Sequence, residues 1–159
     1  MINIVLVEPE IHPNTGNIAR LCAATGAALH LVEPLGFRID AASIKRAGLD
    51  YWPYVKLHRY PSLRDFMQCH GERRLWYFTT KASISYTTVE YQIGDYLLFG
   101  SETSGLPKEL LEASPQRCLR IPMSNRYVRS LNLANCAAIA LYEALRQLGY
   151  SDDSCSSSS

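Results

Sequence analysis

The feature that most narrows the possible folds is a series of short, nearly unbroken apolar runs. They are Ile2–Val7 (INIVLV), Leu29–Val32, Leu75–Thr80 (LWYFTT), Tyr96–Phe99 (YLLF) and Cys118–Ile121. Rich in β-branched and aromatic residues, they read as strands buried on both faces, as in a parallel sheet covered by helices. The intervening segments carry helical patterns. Asn14 or Thr15 can cap a helix with Ile18, Leu21 and Cys22 on its apolar side, ended by Gly26. Ala41–Ala47 suits a short helix, and Ser62 can cap another that runs to Cys69. Tyr51–Tyr60 reads as a loop plus a short strand. Pro107 opens a helix over Lys108–Ala113. Strands alternating with helices predict an α/β domain with a largely parallel sheet.

The last helix has the clearest periodicity. At 100° per residue from Asn132, one arc collects Asn135, Ile139, Tyr142, Glu143, Arg146 and Gln147. The opposite arc holds Leu133, Ala137, Ala140, Leu141, Ala144 and Leu148, an alanine-rich face that permits close helix approach. The polar arc reads either as a solvated face or as a site wall at its start and a partner contact further along.

Composition sets limits on function. At 159 residues, 47% hydrophobic and 19% charged, the chain is about one domain with a proper core. Residues 1–150 form that domain, and the Ser-rich stretch 151–159 reads as a disordered tail. No apolar run is long enough to span a bilayer, and no signal peptide is expected at the N-terminus. Five scattered cysteines without a CxxC suit reduced thiols and a cytoplasmic location. The histidines show no metal-ligand spacing, so no metal is expected. Net charge is +1, but residues 38–81 carry nine Lys/Arg against four Asp/Glu. That basic middle is an ordinary solvated surface or a phosphate-binding face that includes Arg73 and Arg74.

One loop concentrates the chemistry. Strand Tyr96–Phe99 stops at Gly100, and Ser101-Glu102-Thr103-Ser104-Gly105 leads into Leu106-Pro107. Strand, glycine-bounded loop and helix start are how α/β proteins build a ligand crevice. The loop is neither a P-loop nor GxGxxG, which argues against a nicotinamide enzyme.

Three segments in order, NTGNIAR (14–20), FGSETSGLP (99–107) and IPM…VRSLNLANCAAIALYEALRQLGY (121–150), resemble the SPOUT (α/β-knot) RNA methyltransferases. Within that class the chain looks most like the compact TrmL type, tRNA 2′-O-methyltransferases of the wobble nucleotide. The resemblance covers residues 1 to about 150. It implies a parallel sheet flanked by helices with a C-terminal trefoil knot (the SPOUT fold), a homodimer, tRNA as partner and S-adenosylmethionine as methyl donor. On this chain, the donor pocket it implies comprises Phe78, Thr79, Gly100, Glu102, Gly105, Ile121, Met123, Ser130, Leu131 and Asn135. The catalytic positions are Arg20, Asn14 and Glu102. Arg20 is suited to gripping a phosphate beside the target ribose, and Glu102 to holding Asn14 or Arg20. RNA contacts are expected from Arg20, Arg73, Arg74, Arg129, Tyr142 and Arg146. The chain departs from the type at Ser104, where PETRG has arginine, and at Tyr127 and Val128. Alternative expectations are a methyltransferase of the same class acting on another tRNA or rRNA site, or a binding protein that lost catalysis.

Overall fold

The computed structural model describes residues 1–39, 52–125 and 127–150. The helix expected over Ala41–Ala47 and the tail at 151–159 lie outside the described residues. Among the described residues seven strands form one sheet: β1 (Asn3–Val7), β2 (Ala28–Val32), β3 (Lys56–Tyr60), β4 (Leu75–Phe78), β5 (Ile84–Ser85), β6 (Tyr96–Phe99) and β7 (Cys118–Arg120). Their spatial order is β3-β2-β1-β6-β4-β7-β5, and every pairing is parallel. Among the described residues four helices flank it: α1 (His12–Thr25), α2 (Leu63–His70), α3 (Lys108–Ala113) and α4 (Leu133–Leu148).

The strand period of two sorts side chains between the faces. Ile4 and Leu6 of β1, Leu29 and Leu31 of β2, Leu97 and Phe99 of β6, and Leu119 of β7 join the core with Ile18 and Cys22 of α1 and Leu141 and Ala144 of α4. Val5, Val7, Val32, Tyr77, Leu98 and Cys118 point to the other face, against Phe66 of α2 and Leu110 and Leu111 of α3. Both faces being covered explains why these strands carry so few polar residues. The alanine arc of α4 is buried as its periodicity predicts, with Ala137, Ala140, Leu141 and Ala144 fully enclosed. Gln147, on the polar arc, is not simply solvated. It accepts from the Tyr91 N–H (3.0 Å) and donates to the Val89 carbonyl (3.0 Å), tying α4 to the loop before β6.

Two local expectations need correction. Helix α1 starts at His12, with Ile11 at the N-cap and no side-chain cap, so Asn14 lies inside its first turn and is buried. The helix that Pro107 opens runs over Lys108–Ala113 as expected, with Pro107 at its N-cap. Strand β5 was not expected; two residues on the sheet edge carry almost no periodic signal. Ser62 does cap α2, accepting from the Asp65 N–H at 3.2 Å.

Arg74 also serves the fold. Its Nε donates to Asp95 (2.7 Å), its terminal nitrogen to the Glu90 carbonyl (2.8 Å), and its guanidinium lies over Trp76. Asp95 is fully buried and also accepts from Trp76 Nε1 and the Gln92 N–H, both at 2.9 Å. This arginine, just before β4, neutralises a buried carboxylate just before β6, a structural duty. Arg73, exposed beside it, sits at the same N-terminal end of β4.

Candidate active site

Strands β1, β6, β4 and β7 are neighbours, so the loops that leave their C-terminal ends converge. Glu102, in the loop after β6, is the hub. One oxygen accepts from the Glu10 N–H (2.8 Å); the other accepts from the Ile11 N–H (3.1 Å) and from Asn14 Nδ2 (3.3 Å). A carboxylate from another loop therefore meets the leading edge of α1, where helix N–H groups lack internal partners and negative charge is favoured. Asn14 turns its Oδ1 to Asn132, whose Nδ2 donates at 3.0 Å. Asn132 is the N-cap of α4, and its own Oδ1 accepts from the N–H groups of Ala134 and Asn135. The chain Glu102–Asn14–Asn132 joins three segments far apart in sequence. The periodicity places Asn132 only on a helix face; its bridging role has no local sequence signal.

The loop around Glu102 is closed by its own backbone. The Gly105 N–H donates to the Ser101 carbonyl at 3.0 Å, and Gly105 takes φ +68°. A Cβ on Gly100 would stand 1.9 Å from the Gly105 carbonyl carbon and 2.2 Å from the Leu106 nitrogen. Only glycine tolerates that main-chain crossing. Thr103 Oγ1 donates to Glu10 at 2.5 Å, and this bond, with a further one from Ser101, holds the Glu10 carboxyl below its ordinary pKa.

The expected donor-pocket residues fall into two groups. Thr79, Gly100 and Ile121 follow the ends of the adjacent strands β4, β6 and β7, and all three are half-buried. The Leu119 carbonyl accepts from Thr79 and the Arg120 carbonyl from Tyr86, after which Ile121 leaves the ladder. Phe78 is buried and stacks on Phe99, ring centroids 4.8 Å apart, forming an apolar floor. Met123 and Leu131 are half-buried, and Ser130 is exposed just ahead of α4. An apolar floor with main-chain groups emerging from a sheet edge is the chemistry a flat heteroaromatic cofactor needs.

Arg20 and Asn135 belong to a groove of about 600 Å³ between α1 and α4, together with Asn17, Leu21 and Asn132. Arg20 is exposed, and among the described residues its guanidinium makes no hydrogen bond or ion pair. Glu102 thus holds Asn14 and does not hold Arg20. Arg129 is exposed beside Ser130. Tyr142 and Arg146 lie on the far half of α4, ten and fourteen residues past Asn132, hence about 15 and 21 Å along the axis. Arg146 makes two hydrogen bonds to Glu143, at 2.9 and 2.8 Å. Within one chain these two residues, like Arg73, do not reach the site. Among the described residues no group of three or more His, Cys, Asp or Glu is gathered to hold a metal, and no helix is long and apolar enough to cross a membrane.

Comparison with known proteins gives a consistent result. The model of the SpoU rRNA Methylase family matches residues 1–142. The chain is 50% identical over 151 residues to the tRNA (cytidine(34)-2'-O)-methyltransferase of Escherichia coli (strain K12), covering 94% of this chain and 96% of that protein. A solved structure from work on "the 2-OH methylation of C/U34 on tRNA" superposes with a TM-score of 0.86 at 46% identity, covering 93% of this chain and 96% of the other. An AdoMet-bound rRNA methyltransferase from Sinorhizobium meliloti superposes at 0.79 with 29% identity, covering 92% of this chain and 56% of that one. With a family match over nearly the whole domain, and with relatives alike in sequence and fold, the chain belongs to the SpoU rRNA methylase family.

Proposed function

We propose that this protein is an S-adenosylmethionine-dependent tRNA 2′-O-methyltransferase that modifies the ribose of the wobble nucleotide. The observation that carries the reading is the Glu102–Asn14–Asn132 network. It fixes the loop after β6, the start of α1 and the start of α4 against one another, beside the exposed Arg20. The substrate assignment is supported by the relatives named for cytidine 34 of tRNA.

The residues at the ends of β4, β6 and β7 fit the donor. Phe78 offers an apolar floor, Thr79, Gly100, Ile121 and Met123 the rim, and Ser130, Leu131 and Asn135 the side toward α4. When bound, the donor supplies an electrophilic methyl group for the ribose 2′-hydroxyl. Arg20 is a fork for a phosphate next to that ribose, holding the hydroxyl in line. Its guanidinium stays charged throughout, so the hydroxyl proton leaves to a phosphate oxygen or water rather than to Arg20. Asn14 and Glu102 keep α1, and with it Arg20, in register with the donor loops. Arg129 adds a phosphate contact at the mouth.

Residues 1–150 act as one domain, with the C-terminal segment threaded as a trefoil knot. The protein works as a homodimer in the cytoplasm. The outer faces of α1 and α4, with Ile139 and Tyr142 exposed, are the surface that pairs. Two-fold symmetry would bring Tyr142 and Arg146 of one copy toward RNA held by the other. The test is transfer of labelled methyl from S-adenosylmethionine to total tRNA, with the labelled nucleotide mapped. Label on the wobble ribose is the expected result. Label confined to rRNA or to another tRNA position would overturn the substrate, and no label would overturn the reaction.

A further inference from the structure

A second cavity, of about 590 Å³, opens at the C-terminal ends of β2, β1, β6 and β4. It shares no lining residue with the Arg20 groove. Its place is physically favoured. From β1 the sheet grows one way through β2 and β3 and the other way through β6 and β4. Loops diverge at such a reversal and leave a crevice outside the strand ends. Three kinds of group line it: the ammonium groups of Lys81 and Lys108, the carboxylates of Glu8 and Glu10, and apolar surfaces that include Leu35 and Pro107.

The walls are built rather than incidental. Glu10 is fixed by Thr103 Oγ1, and its backbone N–H by Glu102. The Gly36 N–H donates to the Pro9 carbonyl at 2.9 Å, and a Cβ at Gly36 would stand 2.5 Å from the Glu10 backbone carbonyl oxygen. Glu8 takes φ +53°, a left-handed conformation that a residue with a side chain seldom adopts. Its N–H is anchored to the Val32 carbonyl at 2.9 Å. Backbone strain at a cavity rim is the kind kept where a side chain has a task. Among the described residues Lys108 is paired only with the exposed Glu112 at 3.6 Å, so its ammonium remains open to another anion.

We propose that this cavity seats a second nucleotide of the RNA substrate, a neighbour of the one whose ribose is methylated. The proposal rests on the RNA-methyltransferase reading above and adds to it a base-reading subsite. Lys81 and Lys108 take the phosphate, Leu35 and Pro107 flank the base, and Glu8 and Glu10 accept hydrogen bonds from its edge. Carboxylates reward bases that present amino groups, as cytosine, adenine and guanine do. Uracil offers a single imino N–H and carbonyls that two carboxylates repel. The subsite therefore selects against uridine at one position near the target.

The experiment uses the full-length protein and a set of tRNA transcripts in which each nucleotide flanking the wobble position is changed in turn to uridine. Methyl transfer is measured as kcat/KM, and S-adenosylmethionine binding is measured separately by calorimetry. With the wild-type protein, one uridine transcript should lose about tenfold in kcat/KM, the scale of one good base contact. Glu8→Gln should erase most of that difference. Lys81→Ala and Lys108→Ala should raise KM for every transcript alike, with a reduced salt dependence and unchanged donor affinity. These side chains are exposed, so the variants should fold. Equal rates for all transcripts, or lysine variants that match the wild type, would overturn the subsite while leaving the enzyme reading intact. Loss of donor affinity in the lysine variants would show the cavity to be the donor's own seat, which also overturns it. No transfer to any transcript by the wild-type protein would overturn the functional reading and this subsite with it.

Discussion

The carboxylate of Glu102 does for α1 what the side chain of Ile11 cannot: it accepts from the N–H groups that lead into the helix. Removing it strands those donors and frees Asn14. Glu102→Ala should cost about 2 kcal/mol in urea unfolding, the scale of hydrogen bonds to a charged acceptor. Arg20 makes the contrasting case, since among the described residues it has no internal partner to lose. Arg20→Ala and Arg20→Lys should leave stability and donor binding near normal and slow single-turnover methyl transfer about a hundredfold, roughly 3 kcal/mol in the barrier. Wild-type rates in Arg20→Ala would make Arg20 an ordinary surface residue of α1. At Gly100 the constraint is steric. Gly100→Ala should lower stability by about 3 kcal/mol or more, because backbone atoms cannot yield to the new methyl. A calorimetric Tm close to wild type would contradict that.

At the scale of elements, α2 and strands β2, β3 and β6 enclose a polar aromatic cluster on the sheet face away from α1. His30, at the centre of β2, is hydrogen-bonded to Tyr60 Oη (2.8 Å) and Asn3 Oδ1 (2.9 Å) and stacks on His58 at 4.7 Å. Tyr60 Oη also meets His70 Nε2 at 2.9 Å, and Tyr96 Oη lies 3.2 Å from His70 Nδ1. Burial, with His58 and His70 nearby, lowers the His30 pKa from 6.5 to about 3. The unfolded chain therefore binds a proton there at a pH where the folded one does not. This contribution to stability is complete above about pH 6.5 and declines as pH falls from there toward 3, with a slope approaching about 1.4 kcal/mol per pH unit. A pH series of urea unfolding on wild type and His30→Gln tests it, since the glutamine variant should lose that component of the acid slope. Equal slopes would remove His30 from the account. The loop-spanning Arg74–Asp95 pair belongs to this scale too. Arg74→Ala leaves a fully buried carboxylate without its cation and should destabilise by about 3 kcal/mol without changing the KM for tRNA.

For the whole molecule, the outer surface of α1 and α4 is the proposed pairing face. Ile139 and Tyr142 are 36% and 46% exposed, beside a groove floored by Ala134 and Ala138. Sedimentation at micromolar concentration should find a homodimer, and Ile139→Asp should yield a monomer with the fold retained and methyl transfer lost. A wild-type monomer would refute the pairing.

What the sequence determined by itself is the alternation of buried strands and helices, because runs such as YLLF and the alanine arc of α4 carry their period locally. It also carried the motifs that place Asn14, Arg20, Glu102 and Asn135 near one another, through their resemblance to a known family. Four things were decided only by tertiary structure. The first turn of α1 depends on a carboxylate some ninety residues away, so no local cap could reveal where that helix begins. Arg73 and Arg74 belong to a basic stretch on paper, but a parallel sheet puts the start of β4 at the end opposite the site. Two-residue β5 exists because β7 offers it an edge, and Asn132 is both helix cap and bridge because Asn14 reaches it from another element. Periodicity and capping are properties of neighbours in the chain; the site is made by neighbours in space, and pairing across the sheet chooses those.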